Sequence, residues 1–221
     1  MSERSKVVIR GFEAKYYDEL LNILSLWQYP RFIKHIINNE TDVKPGYNVA
    51  ELGVGNGRNA ILFAHRVGNR GKEVGFDISE DMIEKARRKT GKFSNIEIVH
   101  HSILEPYPEK YRNFFDIAFI SFVFHGLEDY EKEEMLKQLK TILKPDGKFY
   151  ILDYNQTDIN DTPFYYRYFI TKLECPLALE FLSYPLEEEL KKHGFVLTNK
   201  HLHFKNLLAY SEFTYRPDET Q

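Results

Sequence analysis

The sequence predicts an α/β fold: a Rossmann-like, doubly wound, mostly parallel seven-stranded sheet with an antiparallel last strand and helices on both faces. Two observations favour this class. Apolar strand patterns alternate with helical patterns from residue 48 onwards, which is typical of a parallel sheet covered by crossover helices. A turn with Gly53, Gly55 and Gly57 also follows the first strand directly, where nucleotide-binding sheets place their first βα turn. We further expect N-terminal helices and a helical insertion after the fifth strand.

The N-terminal segment carries two helical patterns. Apolar residues recur at helical spacing within Tyr17–Trp27, and Pro30 then ends that helix. A second helix is expected to follow, with Ile33, Ile36 and Ile37 on its apolar face. Both helices precede the first strand.

The alternating core is expected to contain five strands joined by helices. Ser79 is expected to cap the helix after the second strand. A turn at Lys144–Gly147 precedes the fifth strand, whose nearly continuous apolar run suits a position covered on both faces. The expected strands are Asn48–Leu52, Glu73–Asp77, Ile96–Val99, Phe115–Phe122 and Lys148–Asp153, and the expected helices are Asn59–Val67, Glu80–Lys89 and Tyr130–Leu143.

The C-terminal part is expected to add one helix and a pair of strands. The helix Pro185–His193 should end at Gly194, a residue suited to a helix C-terminus. The strands Phe195–His203 and Leu207–Tyr215 follow it. Residues 155–183 fall outside the alternation and form the expected insertion.

Composition limits the class of protein. The 221 residues, 43% of them hydrophobic, can support one sizeable core. A net charge of −3 and a pI near 6.3 give no basic footprint for nucleic acid. Cys175 is the only cysteine, which excludes an intrachain disulfide and a thiolate metal cage and favours a reducing compartment, so we expect a cytoplasmic protein. The start lacks a signal-peptide pattern, and no apolar run approaches the roughly 20 residues that span a bilayer.

The glycine turn has the chemistry of an anion-binding and nucleoside-binding site. Glycine permits positive φ and close approach of the backbone to a ligand, and free N–H groups at a helix start attract a carboxylate or a phosphate. Asp77 ends the second strand, a position from which a carboxylate can accept hydrogen bonds from both ribose hydroxyls. A nicotinamide-dinucleotide site would place a third glycine where Arg58 stands, so this alternative is disfavoured. An ordinary tight loop, with Asp77 as a helix-capping or solvated residue, is the structural alternative.

Four motifs in their expected order resemble those of the class I S-adenosylmethionine-dependent methyltransferases. They are Glu51–Gly57, Gly75–Ser79, Phe115–Leu127 and Leu143–Asp153. Within that family, Tyr16–Ser25 and Tyr165–Phe169 with Pro176 are similar to segments of the ubiquinone/menaquinone C-methyltransferases.

The resemblance implies S-adenosyl-L-methionine as the cofactor and S-adenosyl-L-homocysteine as its product. It implies that the helix start near Gly57 faces the methionine carboxylate and that Glu51 accepts from the ammonium group. Ile78 would pack against adenine, although an apolar residue there is also typical of plain core. Ser102 stands where the wider family often has an aspartate for the adenine amino group. The expected cofactor-binding residues are Glu51, Gly53, Gly55, Gly57, Asp77, Ile78, Ser102 and Ser121.

The resemblance also implies one methyltransferase domain, 1–221. Its expected parts are an N-terminal helical cap at 1–45, a cofactor-binding core at 46–153, an acceptor-site helical insertion at 154–183, and a C-terminal helix with a β-hairpin at 184–221.

Candidate catalytic residues follow the fourth and fifth strands. His125 lies at the carboxyl edge where open α/β sheets bind ligands, and its structural alternative is a histidine that fixes the turn before Gly126. Tyr154 follows the fifth strand and Tyr17 lies in the N-terminal helix, so we expect these three residues to assist the reaction. An aromatic cluster, Phe164–Phe169, follows a helix start and is expected to close an apolar acceptor pocket, or else to pack on the sheet.

No metal site is expected. His100-His101 and His201 with His203 form metal-like pairs, but no third or fourth ligand accompanies them in the sequence.

The sequence therefore predicts a methyltransferase that acts on a small, apolar or aromatic acceptor of the quinol or phenol class. The alternatives are a protein or RNA acceptor and a cofactor-binding regulatory pseudoenzyme. Nucleic acid is disfavoured as a partner because Ser121-Phe-Val-Phe replaces the Pro-Pro loop of base amino-methyltransferases. We expect a monomer or homodimer without a transmembrane segment.

Overall fold

The computed structural model describes residues 29–217, which fall into two compact units at residues 29–103 and 104–217. The predicted N-terminal helix with Tyr17 lies outside the described residues.

The helices and strands follow the predicted order closely. The helices are α1 Tyr29–His35, α2 Arg58–Val67, α3 Glu80–Thr90, α4 Asp129–Ile142, α5 Phe164–Lys172, α6 Pro176–Phe181 and α7 Leu186–Lys192. The strands are β1 Asn48–Leu52, β2 Lys72–Asp77, β3 Ile96–His100, β4 Phe115–Ser121, β5 Leu143–Tyr154, β6 Phe195–His203 and β7 Leu208–Tyr215. Single turns of 3₁₀ helix occur at Gly68–Arg70, Glu109–Tyr111, Phe124–Gly126 and Ile159–Asp161, and a π-helical turn, Ile36–Glu40, extends α1.

The first unit is built on three parallel strands in the order β3-β2-β1. The apolar residues of β1 and β2 are fully buried, as expected for strands covered on both faces. Helix α2 buries Phe63 and Val67 from its apolar stripe. Ser79 caps α3 as predicted, because its side chain accepts from the Met82 N–H at 3.4 Å.

The second unit contains the strand order β4-β5-β7-β6, with β4 and β5 parallel and β7 antiparallel to both of its neighbours. The predicted turn at 144–147 forms a bulge inside β5, because Phe115 pairs with Leu143 while Ile117 pairs with Lys148. Asp146 occupies the left-handed region there, with φ of +59°. The strand therefore begins earlier than predicted and carries the predicted turn within it.

The predicted insertion after the fifth strand is helical. Helices α5 and α6 occupy it, and α5 buries Tyr166 and Ile170. The other face of α5 is open, since Phe164, Tyr165 and Tyr168 are each more than half exposed. In the part of the chain that the structure describes, no helix is long and apolar enough to cross a membrane.

The seven strands, the antiparallel last strand and the helical insertion confirm the predicted fold class.

Candidate functional site

The glycine turn after β1 is fastened to the end of β2. Gly53, Gly55 and Gly57 have φ values of +79°, +53° and +77°. Residues with a Cβ atom rarely adopt this backbone conformation. The N–H groups of Gly53 and Val54 both donate to the Phe76 carbonyl, at 2.8 and 2.9 Å. The glycines thus allow the chain to reverse tightly beside the neighbouring strand before α2 begins.

Asp77 links this turn to the start of α3. Its Oδ2 accepts from the Gly55 N–H and its Oδ1 from the Ser79 N–H, both at 2.8 Å. Burial raises the pKa of this carboxyl, while the backbone hydrogen bonds act in the opposite direction. Each carboxylate oxygen offers two lone pairs, so Asp77 retains acceptor capacity after both backbone bonds are made.

The space on one side of the turn is open. A Cβ placed on Gly55 would meet no atom within 4 Å. A Cβ placed on Gly57 would instead lie 3.1 Å from Thr90 and 3.2 Å from Ala86 of α3. The turn therefore packs on α3 through Gly57 and leaves room for a ligand over Gly55.

Glu51 brings a buried carboxyl to the same end of β1. It is 1% exposed, and its Oε1 accepts from the Asn59 side chain at 2.9 Å. Its Oε2 is buried and has no hydrogen-bond partner among the described residues. Burial raises the pKa of Glu51 to about 8. The hydrogen bond from Asn59 acts to lower this pKa, and the negative charge of Asp77 acts to raise it. A buried oxygen of this kind is costly unless a donor reaches it.

Glu73 on β2 is a second buried carboxyl in this unit. It is fully buried, and neither of its oxygens has a hydrogen-bond partner in the described part of the chain. Burial, with a contribution from Glu51, raises the pKa of Glu73 well above its usual value. Burial therefore favours the protonated form of Glu73.

Two further predicted cofactor residues follow β2 and β3. Ile78 is half-buried, and its carbonyl oxygen lies 2.9 Å from the His100 Nε2 atom. Ser102 is buried and comes two residues after the end of β3. Of the predicted set, seven residues thus lie in the first unit at the carboxyl ends of its strands, the edge where open α/β sheets bind ligands. Ser121 ends β4 in the second unit and is half-buried.

In the second unit, His125 is fixed by Asp153. The 3₁₀ turn after β4 places the His125 Nδ1 atom 2.7 Å from Asp153 Oδ1 at the end of β5. Asp153 Oδ2 also accepts from the His125 N–H at 3.1 Å, and Oδ1 accepts from the Tyr154 N–H at 2.8 Å. Burial alone would lower the pKa of His125, but the Asp153 carboxylate, aided by Cys175 and Glu174, raises it to about 10. The imidazole is therefore a hydrogen-bond donor at neutral pH.

Tyr154 and Glu174 complete this cluster. The Tyr154 hydroxyl donates to Glu174 Oε1 at 2.7 Å, and Glu174 Oε2 lies 3.8 Å from the His125 Nε2 atom. Burial, together with the Glu174 charge, raises the pKa of Tyr154 well above its usual value. The Tyr154 ring also packs on the His125 ring, with centroids 4.8 Å apart. Tyr154 thus keeps its proton and acts as a donor.

The comparison with known proteins agrees with this geometry. A family model described as a methyltransferase domain matches residues 43–204. The chain belongs to the methyltransferase-domain family. This match confirms the predicted family, the S-adenosylmethionine-dependent methyltransferases. It also confirms S-adenosylmethionine as the cofactor.

The chain is similar to several methyltransferases in sequence and in fold. The chain is 33% identical over 141 residues to a demethylmenaquinone methyltransferase of Staphylococcus saprophyticus, over 63% of this chain and 58% of that one. It spans less than two thirds of that relative's length. A SAM-dependent methyltransferase from Aquifex aeolicus has a TM-score of 0.62 at 21% identity, covering 84% of this chain and 98% of that one. A 1,6-didemethyltoxoflavin-N1-methyltransferase of Burkholderia thailandensis, solved with S-adenosylhomocysteine, has a TM-score of 0.65 at 15% identity. The match covers 91% of this chain and 84% of that one.

The sequence did not predict three residues of the cluster around His125, namely Asp153, Glu174 and Cys175. The sequence pattern marks Asp153 only as a strand end. In the structure β4 and β5 are adjacent parallel strands, so residues that follow or end them can meet. Glu174 and Cys175 lie in the insertion, where no periodic pattern signalled their approach to His125. The predicted histidine pairs lie elsewhere: His100 contacts the Ile78 carbonyl, and His201 contacts Asn199 at 2.8 Å.

Proposed function

We propose that the chain transfers the methyl group of S-adenosylmethionine to a small apolar or aromatic acceptor of the quinol or phenol class. The observation that carries this proposal is the buried Glu51 Oε2 atom, which has no partner among the described residues, at a glycine turn with open space over Gly55. A cationic ammonium group would satisfy that oxygen. The staphylococcal relative is named a demethylmenaquinone methyltransferase, and a quinone-type substrate there supports an acceptor of this class.

Each predicted cofactor residue has a role in this proposal. The positive end of α2, which begins next to Gly57, faces the methionine carboxylate. Asp77 accepts from the ribose hydroxyls with the lone pairs that Gly55 and Ser79 leave available. Ile78 and Ser102 contact adenine, and Ser121 is kept as a proposed cofactor-binding residue.

Positioning supplies most of the rate acceleration in this mechanism. The sulfonium is already an activated leaving group, and the transfer is an in-line displacement in which charge is lost. Aligning the acceptor with the methyl carbon contributes on the order of 7–11 kcal/mol of barrier reduction. The protein therefore needs no covalent intermediate.

His125 and Tyr154 assist by stabilising the ionised acceptor. Asp153 maintains the charge of the imidazole, so His125 is a donor. Tyr154 keeps its proton but donates it to Glu174, so it would assist the acceptor by exchanging that partner. A donor beside a phenol or quinol oxygen favours the oxyanion, which is the nucleophilic form. Tyr17, outside the described residues, is proposed to contribute to the same acceptor pocket.

Binding of the cofactor is expected to depend on pH through Glu51. The ammonium group pairs with the ionised carboxylate, and Glu51 in the free protein has its pKa raised to about 8. Below that pH a proton must leave on binding, so the affinity should rise by up to about tenfold per pH unit between pH 6 and 7.5. Calorimetry with S-adenosylhomocysteine, repeated in buffers of different ionisation enthalpy, measures both the affinity and the released proton.

Two variants separate Glu51 from its neighbour. Glu51→Gln should remove the pH dependence together with most of the affinity. Glu73→Gln should retain the pH dependence, because Glu73 is fully buried on β2 and is not proposed to contact the cofactor. A flat profile for the unmodified protein would contradict the pairing of Glu51 with the ammonium group.

The exposed aromatic face of α5 is expected to contact the acceptor. Tyr168 is 62% exposed, and Tyr168→Ala should raise the acceptor KM by about tenfold while the cofactor Kd stays within about twofold, because a lost aromatic contact is worth roughly 1–2 kcal/mol. Tyr130→Ala is the matched control, a tyrosine of similar exposure on α4. The reverse pattern, a raised cofactor Kd with an unchanged KM, would remove α5 from the acceptor site.

A turnover assay tests the proposed function as a whole. Demethylated naphthoquinols, simple phenols and small amines are incubated with the cofactor, and S-adenosylhomocysteine is quantified. Formation of product with a quinol or phenol supports the proposal. Cofactor binding without turnover on any small acceptor would favour the regulatory pseudoenzyme or a macromolecular acceptor.

A further inference from the structure

A buried cluster in the second unit has the composition of a metal site. The ligand atoms of His125, Glu174 and Cys175 all lie within 4.8 Å of one another. His125 and Cys175 are buried, and Glu174 is half-buried. An imidazole, a carboxylate and a thiol are the three ligand types that zinc sites in proteins combine.

The histidine is oriented as a metal ligand. Its Nδ1 atom is bound to Asp153 Oδ1 at 2.7 Å, and its Nε2 atom faces Glu174. Metal-binding histidines almost always pair their other nitrogen with a carboxylate or carbonyl in this way. Asp153 is itself immobilised, since it is 2% exposed and accepts from two backbone N–H groups.

The carboxylate is oriented by a second contact. The Tyr154 hydroxyl occupies Glu174 Oε1, so Oε2 is the oxygen that faces His125 Nε2, at 3.8 Å. Tetrahedral zinc with bonds of about 2.0–2.3 Å requires ligand separations of about 3.3–3.8 Å. The distance from His125 Nε2 to Glu174 Oε2 lies at the upper end of this range. The widest separation in the cluster, up to 4.8 Å, must contract by about 1 Å on metal binding.

We propose that His125, Glu174 and Cys175 bind a divalent transition metal ion of the zinc class. Two carboxylates, Asp153 and Glu174, flank the ring and make the cluster attractive to a cation. The thiolate selects a borderline-soft metal over Mg²⁺ or Ca²⁺. Three protein ligands leave a fourth position open to water or to an oxygen of another molecule. Metal binding at this cluster does not depend on the proposed methyl transfer. It displaces the proton of His125 Nε2, so a metal-loaded cluster would not use His125 as the donor proposed above.

The single cysteine makes the test specific. The full chain is treated with a chelator and titrated with Co²⁺, which reports a thiolate ligand by its sulfur-to-cobalt charge-transfer absorption. Because Cys175 is the only cysteine, that absorption can come from no other residue of the chain. We expect the band to saturate at one equivalent and to disappear when Zn²⁺ is added.

Three variants decide the outcome. Cys175→Ser should abolish the band, and Glu174→Gln should weaken Co²⁺ binding by at least about tenfold. Glu174→Gln keeps the side-chain volume and tests the site if the serine variant does not fold. His201→Gln is the matched control, because it alters a histidine outside the cluster. This variant should bind Co²⁺ like the unmodified protein. An absent band, or unchanged binding by Glu174→Gln, overturns the proposal.

Discussion

Replacing Asp77 by asparagine is expected to weaken binding of S-adenosylhomocysteine by about 100-fold or more. The amide keeps the volume but exchanges one acceptor oxygen for an NH₂ group. That group would face the N–H of either Gly55 or Ser79, both of which donate to the carboxylate at 2.8 Å. The turn would lose an anchor and the ribose a charged acceptor, and hydrogen bonds to charged groups contribute about 1.5–3 kcal/mol each. Isothermal calorimetry measures the change.

Glu80→Gln is the matched control for this prediction. Glu80 is an exposed acid at the start of α3, three residues from Asp77 in the chain. Its substitution also removes one negative charge but leaves the turn intact, so affinity should change less than about threefold. Equal losses in the two variants would mean that net charge, and not the Asp77 carboxylate, determines cofactor affinity.

Replacing Asp153 by asparagine is expected to lower the free energy of unfolding by about 3 kcal/mol. Asp153 accepts from the His125 ring, the His125 N–H and the Tyr154 N–H, and both side chains of the pair are at least 90% buried. An asparagine can accept at only one atom, and its NH₂ group would oppose a buried donor. Removing one member of a buried ion pair typically costs about 3–5 kcal/mol. Urea denaturation followed by circular dichroism measures the loss.

Asp146→Asn provides the control for Asp153. Asp146 lies in the bulge of the same strand, its side chain is 77% exposed, and its nearest cation, Arg216, is 3.8 Å away. Asparagine also tolerates the positive φ of this position. The free energy of unfolding should therefore change by less than about 0.5 kcal/mol. A loss at Asp153 no larger than this would show that the buried pair with His125 does not stabilise the fold.

Local sequence signals predicted the elements of the fold well, because their patterns are short-range. The strands Asn48–Leu52 and Phe195–His203 begin and end as predicted, and Ser79 caps α3. The fifth strand differs: its pairing with β4 resumes across the bulge at 144–147, so it begins at Leu143. A turn motif inside a strand cannot be told from a turn before it without knowledge of the partner strand.

The candidate site was predictable where it depends on backbone conformation. Three glycines with positive φ and an acid at the next strand end are a pattern that the sequence displays directly. The partners of buried polar groups were not predictable in the same way. The sequence does not reveal that Glu51 lies close enough to Glu73 to raise its pKa, or that Glu174 lies beside His125. These proximities depend on strand register and on the path of the insertion.

A crystal structure of the protein with S-adenosylhomocysteine tests the central claim most directly. The account predicts the ribose hydroxyls within hydrogen-bond distance of the Asp77 carboxylate and the ammonium group on Glu51, with the ligand over Gly55. A structure in which the ligand lies away from the glycine turn, or in which the Asp77 carboxylate accepts only from backbone N–H groups and not from the ligand, would contradict it.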